Sequence, residues 1–205
     1  PEYAPLGLTL PIVAVALCAI AAWRRSIGLF ALLLFCMVVM GLIYHVLQAG
    51  LPKIFTERMG EGFTGNAVKA GMLVSVVYFV GAGMQLVGGW LADRYPLKPV
   101  YVSAWVLQSA LVFLVADAAG LPLFVTALLL ASVGTGALPA ENMLLYRNAP
   151  EAHKSLAFGI KFILTFGAGP LAIQLIAFVR ETTGDFTALF LGLGVLAILA
   201  TLIAV

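Results

Sequence analysis

The sequence predicts an all-α fold, a polytopic bundle of transmembrane helices. Three observations lead to this class: the composition, the length of the apolar runs and the alternation of charge between them. Of the 205 residues, 63% are hydrophobic and only 10% are charged, with a mean hydropathy of +1.11. A soluble domain carries about 25% charged residues. We therefore expect lipid, rather than water, to surround most of this chain.

Apolar runs account for most of the chain, and a spanning helix needs about 20 such residues. The first run is short, and Pro11 interrupts it. We expect residues 1–25 to be the terminal helix of a preceding bundle or a linker, and residues 26–205 to be a six-helix bundle, all within a longer chain. The join at Trp23–Arg25 is either a tight turn or the mark of an excised loop. The seven runs are Leu6–Ala22, Ser26–Phe55, Gly65–Ala92, Pro99–Ala116, Leu121–Leu145, Ser155–Val179 and Phe186–Val205.

Basic residues are concentrated in alternate connections between these runs. One set of connections holds six Lys or Arg residues: Arg24, Arg25, Arg94, Lys98, Arg147 and Lys154. The opposite set holds three: Lys53, Arg58 and Arg180. The positive-inside rule then places the first set in the cytoplasm, with both ends of the six-helix bundle on that side. We expect a multi-pass protein of the plasma (inner) membrane.

Composition and spacing argue against several functional classes. A net charge of +2 does not indicate a nucleic-acid partner. Cys18 and Cys36 lie inside apolar runs, where they behave as small hydrophobes. The two histidines and two cysteines lack metal-ligand spacing, and there is no phosphate-binding Gly-x-x-x-x-Gly-Lys motif. We therefore expect no catalytic residues, no cofactor, no metal and no ATP-driven step.

The six-helix region divides into two comparable halves, Ser26–Ala116 and Leu121–Val205. In the second helix of each half, Phe79–Gly83 resembles Phe166–Gly169 with a slip of one residue. Inverted repeats of three helices are common in transporters. The pattern predicts a 3+3 inverted repeat, and the missing phosphate-binding motif favours transport driven by an ion gradient or by the solute's own gradient.

A charged turn follows the third apolar run. Gly89, Asp93, Arg94 and Lys98 occur there in the order G-x-x-x-D-R-x-x-x-K. This resembles the signature between the second and third helices of each six-helix half in the major facilitator superfamily, with Pro96 where the signature has glycine. The resemblance implies a gating turn that holds two bundles together in one conformational state. The alternative is a solvated turn with ordinary positive-inside charge.

A second motif supports the same resemblance. Pro150 is followed four residues later by Lys154, as in the family's loop between helices four and five, with lysine in place of arginine. The resemblance implies that this chain is a C-terminal six-helix half, whose partner is the N-terminal six-helix bundle of the same chain. Transport would then follow a rocker-switch mechanism of alternating access about a central cavity.

Two opposite charges lie inside adjacent helices. Glu141 precedes Arg147 by six residues, and Lys161 follows Ser155 by six. At 1.5 Å per residue, both lie roughly 9 Å from the same membrane face. An unpaired charge at this depth costs roughly 2.5–3.5 kcal/mol, so we expect an ion pair. It is either a cytoplasmic-side gate or substrate anion site, or a purely structural pair; a further alternative is that Lys161 extends to the interface.

Polar residues inside the helices are candidates for lining a cavity. Tyr44, His45 and Gln48 share one side of their helix, and Asn142 and Thr165 lie on later helices. We expect these residues to bind substrate, with His45 a candidate proton carrier since histidine titrates near neutrality. The alternative is interhelical hydrogen bonding. Trp23, Trp90 and Trp105 are typical of the membrane interface.

The sequence therefore favours symport, antiport or facilitative transport of a small organic solute, such as an organic anion or a drug-like compound. Protons are a candidate coupling ion. The competing hypothesis is a membrane sensor or assembly subunit that keeps the fold without transporting.

Overall fold

A computed structural model describes the backbone of residues 6–60, 62–63, 66–149 and 151–205, and the side chains from residue 30 onward except that of residue 152. The described part is helical. Its α-helices, in chain order, are α1 Leu6–Arg58, α2 Ala67–Arg94, α3 Leu97–Asp117, α4 Gly120–Asn148, α5 Lys154–Thr183 and α6 Thr187–Ala204, with a short 3₁₀ helix at Glu151–His153 before α5.

The prediction of six spanning helices in the region after residue 25 is confirmed. Within the described residues, six helical segments are long and apolar enough to cross a membrane, by length and composition: Phe30–Arg58 of α1, and α2 to α6 in full. Their ends agree with the predicted runs to within a few residues, since each long apolar run stops at a charged or turn-forming stretch.

No turn interrupts the backbone at Trp23–Arg25. Helix α1 runs without interruption from Leu6 to Arg58 and joins the first two predicted segments. Charge at a position does not by itself end a helix, because arginine is among the better helix formers and no proline or Gly pair occurs between Ala21 and Ser26. The charge pattern was mistaken for a break in the backbone.

Local sequence explains most helix ends. Asn66 caps α2, its side chain accepting a hydrogen bond from the backbone N–H of Lys69 at 3.1 Å. Tyr95 ends the same helix in an extended conformation, because a residue that precedes proline is disfavoured in the α region. Gly184 ends α5 with a φ of +75°, a left-handed conformation that favours glycine.

The helices pack in pairs that follow the expected repeat. Helix α2 lies against α4, α1 against α5, and α3 against α6. If α1, α2 and α3 are exchanged with α4, α5 and α6, the α2–α4 pair becomes the α5–α1 pair. The α3–α6 pair is unchanged by this exchange. These pairings are compatible with a 3+3 repeat, although α3 also packs closely against α4, and the corresponding contact between α6 and α1 is smaller.

Glycine sets the closest approach in the α2–α4 pair. A Cβ atom on Gly88 would lie 1.8 Å from the carbonyl oxygen of Gly136, so only glycine permits this crossing. Thr135 strengthens the same contact by donating a hydrogen bond to the Gly81 carbonyl at 2.7 Å. Gly89 and Gly83, in contrast, have open space where a side chain would be.

The core lies between α1, α3, α4 and α6. Trp105, expected at the membrane interface, is fully buried there, with Tyr101 beside it at a ring-centroid distance of 6.2 Å. That expectation was wrong because Trp105 lies in the middle of α3 and faces the bundle, whereas Trp90 lies near a helix end and is half exposed.

A charged clasp closes one end of the bundle. Arg58, at the end of α1, donates to the Ala116 carbonyl of α3 at 2.6 Å, to the Thr187 hydroxyl at 3.1 Å and to the Asp185 carboxylate. The Thr187 hydroxyl donates to the Asp185 carboxylate, and its oxygen lies 3.1 Å from the Ala116 carbonyl oxygen. One arginine thus joins the ends of α1 and α3 to the connection that leads into α6.

A second pair reinforces this end. Arg180 of α5 donates through two nitrogens to the carboxylate of Glu57, and its guanidinium lies 4.9 Å from the centre of the Phe186 ring. Lys53 approaches the same carboxylate at 3.4 Å. These side chains are partly exposed, so their contribution to stability is small.

Asp185→Asn is expected to lower the melting temperature at pH 7 and to have no effect near pH 2. The Thr187 hydroxyl and, secondarily, Arg58 lower the pKa of Asp185 from 3.8 to about 2. A lowered folded-state pKa contributes stability above the unfolded value, and this contribution is lost as the pH falls through about 2. Because the side chain is 52% exposed, we expect less than about 1 kcal/mol.

Thermal unfolding of the full-length protein between pH 2 and 7 measures this effect. Glu181→Gln, which alters an exposed carboxylate near the end of α5, is the matched control and should change the melting temperature little at any pH. An effect of Asp185→Asn that did not depend on pH would contradict the clasp.

Candidate functional site

One cavity brings together most of the polar residues inside the helices. It has a volume of about 270 Å³ and lies between α1, α3, α4 and α5. The rings of Phe162 and Phe166 border it while remaining 48% and 68% exposed, so the cavity is open along α5. Its polar or charged lining residues are Tyr44, His45, Gln108, Thr135, Glu141, Asn142, Lys161 and Thr165.

The ion pair expected from helix geometry is present in this cavity. Lys161 Nζ of α5 lies 2.7 Å from Glu141 Oε1 of α4, with side chains only 4% and 1% exposed. Lys161 also donates to the side-chain oxygen of Asn142. The connection between α4 and α5 is short, and the two helices run antiparallel. Glu141 and Lys161 therefore come side by side. Each buried charge is thereby compensated by a partner on the neighbouring helix.

Helix α3 contributes two residues that the sequence did not single out. The Tyr101 hydroxyl donates to Glu141 Oε2 at 3.4 Å, and Gln108 lines the cavity while only 2% exposed. Tyr101, Trp105 and Gln108 are spaced i, i+4 and i+7, which places them on one helix face. A polar face within an otherwise apolar run was the signal that could have identified them.

His45 joins α1 to α5 across the cavity wall. Its Nε2 lies 3.1 Å from the Thr165 carbonyl oxygen, which can only accept, so Nε2 carries the proton. The ring meets Tyr44 edge-on at 5.5 Å. Gly169 leaves the ring room, since a Cβ atom there would already lie 3.6 Å from His45 Nδ1. The histidine therefore has the interhelical hydrogen bond that was the alternative to substrate binding.

Gln48 does not line the cavity. It lies one helical turn beyond Tyr44, and its side chain is exposed. The i,i+4 spacing placed the two on one side of α1, but it did not reveal that the cavity ends at Leu47. Gln48 is therefore separate from the group formed by the other cavity candidates.

The charged turn after α2 lies outside this cavity. Asp93, Arg94 and Lys98 are exposed, and the Arg94 guanidinium lies 4.9 Å from the centre of the Trp90 ring. Within the part of the chain that the structure describes, Asp93 makes no hydrogen bond or ion pair. Gly89 faces open space. Asp93 and Arg94 are thus exposed at the end of α2, whereas Lys98 also borders a second cavity.

Only part of the second motif, Pro150 and Lys154, lies within the described residues. Lys154 begins α5, and its Nζ lies 4.1 Å from the centre of the Tyr146 ring on α4. Pro150 lies outside the described residues. The lysine thus contacts the helix that precedes the connection.

A second cavity, of about 200 Å³, lies on the other side of Tyr101, between α1, α3, α4 and α6. Lys98, Cys36 and Asn148 line it together with apolar side chains. Tyr101 borders this cavity and contacts Glu141, which borders the first. This tyrosine therefore connects the lining of the second cavity to the ion pair of the first.

The comparison with known protein families agrees with the predicted fold, and the matched region includes the charged turn. Residues 50–205, more than half of the chain, match the model of the Major Facilitator Superfamily. This region contains α2 to α6 and the end of α1. A search of curated proteins finds no match to the chain. The chain belongs to the Major Facilitator Superfamily.

Proposed function

We propose that this protein carries a small organic solute across the membrane by rocker-switch alternating access, in secondary active or facilitative transport. Membership of the family and the six apolar helices support a membrane transporter. The observation that carries the finer proposal is the open cavity of about 270 Å³ that contains a buried ion pair. A cavity with a few convergent polar groups is the usual form of a small-molecule site.

The proposed arrangement has a second half. Helices α2 and α5 leave large apolar side chains uncovered, among them Phe79 at 82%, Ile163 at 74% and Phe166 at 68% exposure. The cavity also opens along α5. An N-terminal six-helix bundle of the same chain, as the resemblance implies, would close this side, and lipid would cover the rest.

We further propose that the Glu141–Lys161 pair acts as a gate. It ties α4 to α5 beside the connection between them and lies in the cavity wall. Breaking such a pair has a high free-energy cost when its members stay buried. When α5 moves relative to α4, the pair would therefore be either formed or broken. This favours two discrete conformations over a continuous range of conformations.

Flux in proteoliposomes tests the transporter proposal. The full-length protein would be reconstituted, and uptake of uncharged, anionic, cationic and zwitterionic solutes measured with and without a pH gradient. We expect uptake above that of empty liposomes for at least one class. Absence of flux and of ligand binding for every class would instead support a sensor or assembly subunit. Dependence on the pH gradient would identify protons as the coupling ion.

Asp93→Asn is expected to slow turnover while leaving substrate binding nearly unchanged. The exposed carboxylate is without a partner among the described residues, so its proposed partner is a helix terminus of the other bundle. A charge at a helix N-terminus contributes up to about 2 kcal/mol, which corresponds to a decrease in turnover of up to about 30-fold.

Initial rates and equilibrium binding on the same preparation separate the two effects. Asp117→Asn removes an exposed carboxylate at the opposite end of the bundle, where α3 ends, and should leave turnover unchanged. Equal turnover of Asp93→Asn and the wild type would remove the gate assignment.

A further inference from the structure

We infer that the cavity binds an uncharged organic molecule that carries an N–H or O–H hydrogen-bond donor, and that Gln108 recognises this donor. The inference rests on the proposed function, because it names the class of substrate for the same cavity. It follows from three features of the cavity: an unpartnered amide oxygen, mutually compensated charges and an apolar remainder.

Gln108 presents an acceptor without a partner. Its side chain is only 2% exposed and lines the cavity, and its buried Oε1 has no hydrogen-bond partner among the described residues. Buried polar groups are nearly always hydrogen-bonded, since leaving one unsatisfied is costly. A bound molecule that donates an N–H or O–H to this oxygen would remove that cost. An isolated acceptor facing a cavity is therefore evidence about the ligand.

Gly134 lies beside the Gln108 amide. A Cβ atom at this position would lie 3.5 Å from Gln108 Oε1 and 3.7 Å from Nε2, in van der Waals contact without a clash. Glycine thus leaves space beside the amide that any other residue would occupy. Alanine at position 134 should cover the amide without distorting the helix.

The charges in the cavity favour an uncharged ligand. Among the lining residues, the only Asp, Glu, Lys or Arg side chains are those of Glu141 and Lys161, and they bind each other at 2.7 Å. An anion would compete with Glu141 for the lysine, and a cation would compete with Lys161 for the carboxylate. In both cases one buried charge would lose its partner, which is strongly unfavourable. An uncharged molecule leaves the pair intact.

The other residues that line the cavity suit an apolar group of a ligand. Met37, Met40, Leu130 and the rings of Phe162 and Phe166 all border the cavity. An apolar cavity of about 150 Å³ is sufficient for benzene, so the space here accommodates a substituted ring. Flexible methionine side chains adapt to differently shaped bodies. The expected ligand therefore combines an aromatic or aliphatic body with one uncharged donor.

Four matched probes test this class in binding to the full-length protein. Benzamide is uncharged and has a donor; N,N-dimethylbenzamide is uncharged and lacks one; benzoate is an anion and benzylammonium a cation. We expect benzamide to bind about tenfold more tightly than the other three, since one hydrogen bond to a buried acceptor changes affinity by roughly this factor. Equal or tighter binding of any other probe, or no binding of benzamide, would overturn the inference.

Variants of this chain provide the controls. Gln108→Leu should abolish the preference for benzamide and raise the melting temperature of the ligand-free protein, because it removes a buried unsatisfied oxygen. A lower melting temperature would mean that Gln108 is structural and would overturn its assignment. Gly134→Ala should also abolish the preference, whereas Gly71→Ala, which has open space on α2, should keep it.

The two proposals fail in different ways. If benzamide binds with the expected selectivity but no solute is transported, the transport function is wrong and the site assignment stands. If charged solutes alone bind and are transported, the function stands and the inferred substrate class is wrong.

Discussion

Lys161→Met is expected to lower the free energy of unfolding by about 3–5 kcal/mol, the usual cost of removing one partner from a buried ion pair. The reason is that Glu141, only 1% exposed, would remain in the bundle without its counter-charge. Only the Tyr101 hydroxyl, at 3.4 Å, would still donate to it within the described residues. Thermal unfolding and the yield of monodisperse full-length protein measure the loss.

An exposed pair in the same chain is the matched control. Lys53 and Glu57 lie 3.4 Å apart with side chains 59% and 35% exposed, so Lys53→Met should cost at most about 1 kcal/mol. Both variants replace a lysine by methionine, and they differ mainly in burial. Similar losses of stability would contradict the importance of burial for the Glu141–Lys161 pair.

The double variant Glu141→Leu/Lys161→Met separates a gate from a structural pair. Removing both charges should restore most of the stability, since apolar residues often replace a buried ion pair without loss. If the pair is a gate, turnover stays low in this stable protein. Restored stability together with full turnover would show that the pair is structural only.

Gly88→Ala is expected to destabilise the bundle by about 3 kcal/mol, at the upper end of the usual cost of overpacking. The new Cβ would lie 1.8 Å from the Gly136 carbonyl oxygen, which is backbone and cannot move aside as a side chain could. Helices α2 and α4 would have to separate. The Thr135 hydrogen bond to the Gly81 carbonyl crosses the same contact and would be weakened with it.

Gly83→Ala on the same helix is the control, because a Cβ there meets nothing within 4 Å in the described structure. Alanine in a helix interior is more favourable than glycine by roughly 0.5–1 kcal/mol, so this variant should be neutral or slightly stabilising. Thermal unfolding of the two variants side by side gives the result. A Gly88→Ala protein as stable as Gly83→Ala would contradict the close crossing.

Much of the fold could be predicted because it depends on local properties. Six spanning helices follow from run length, since lipid requires long apolar helices with every backbone group satisfied internally. The Glu141–Lys161 contact was also predictable, because two antiparallel helices with a short connection place residues at equal depth side by side. The expectation of a turn at Trp23–Arg25 was wrong, because charge had been taken as a sign that the chain reverses. Arginine is compatible with a helix.

The lining of the cavity depended on information that the sequence does not contain. Tyr44 and Gln48 share a side of α1 by spacing, yet only Tyr44 lines the cavity. Gln108 and Tyr101 resembled ordinary residues of a packed helix until α3 was placed against α4. Trp105 had the composition of an interface residue but lies in the core. Helical periodicity gives relative directions around one helix and says nothing of how that helix is rotated against its neighbours.

The sequence alone thus indicated the membrane environment, the six spanning helices after residue 25, the charged turn at Asp93–Arg94 and the pairing of Glu141 with Lys161. These follow from hydropathy, run length and residue spacing along one dimension. Only the tertiary structure decided which glycine lies at the α2–α4 crossing, which polar groups meet in one cavity and that the Gln108 oxygen has no hydrogen-bond partner among the described residues. Those depend on the rotation and separation of packed helices, which are set by side-chain contacts between residues far apart in the chain.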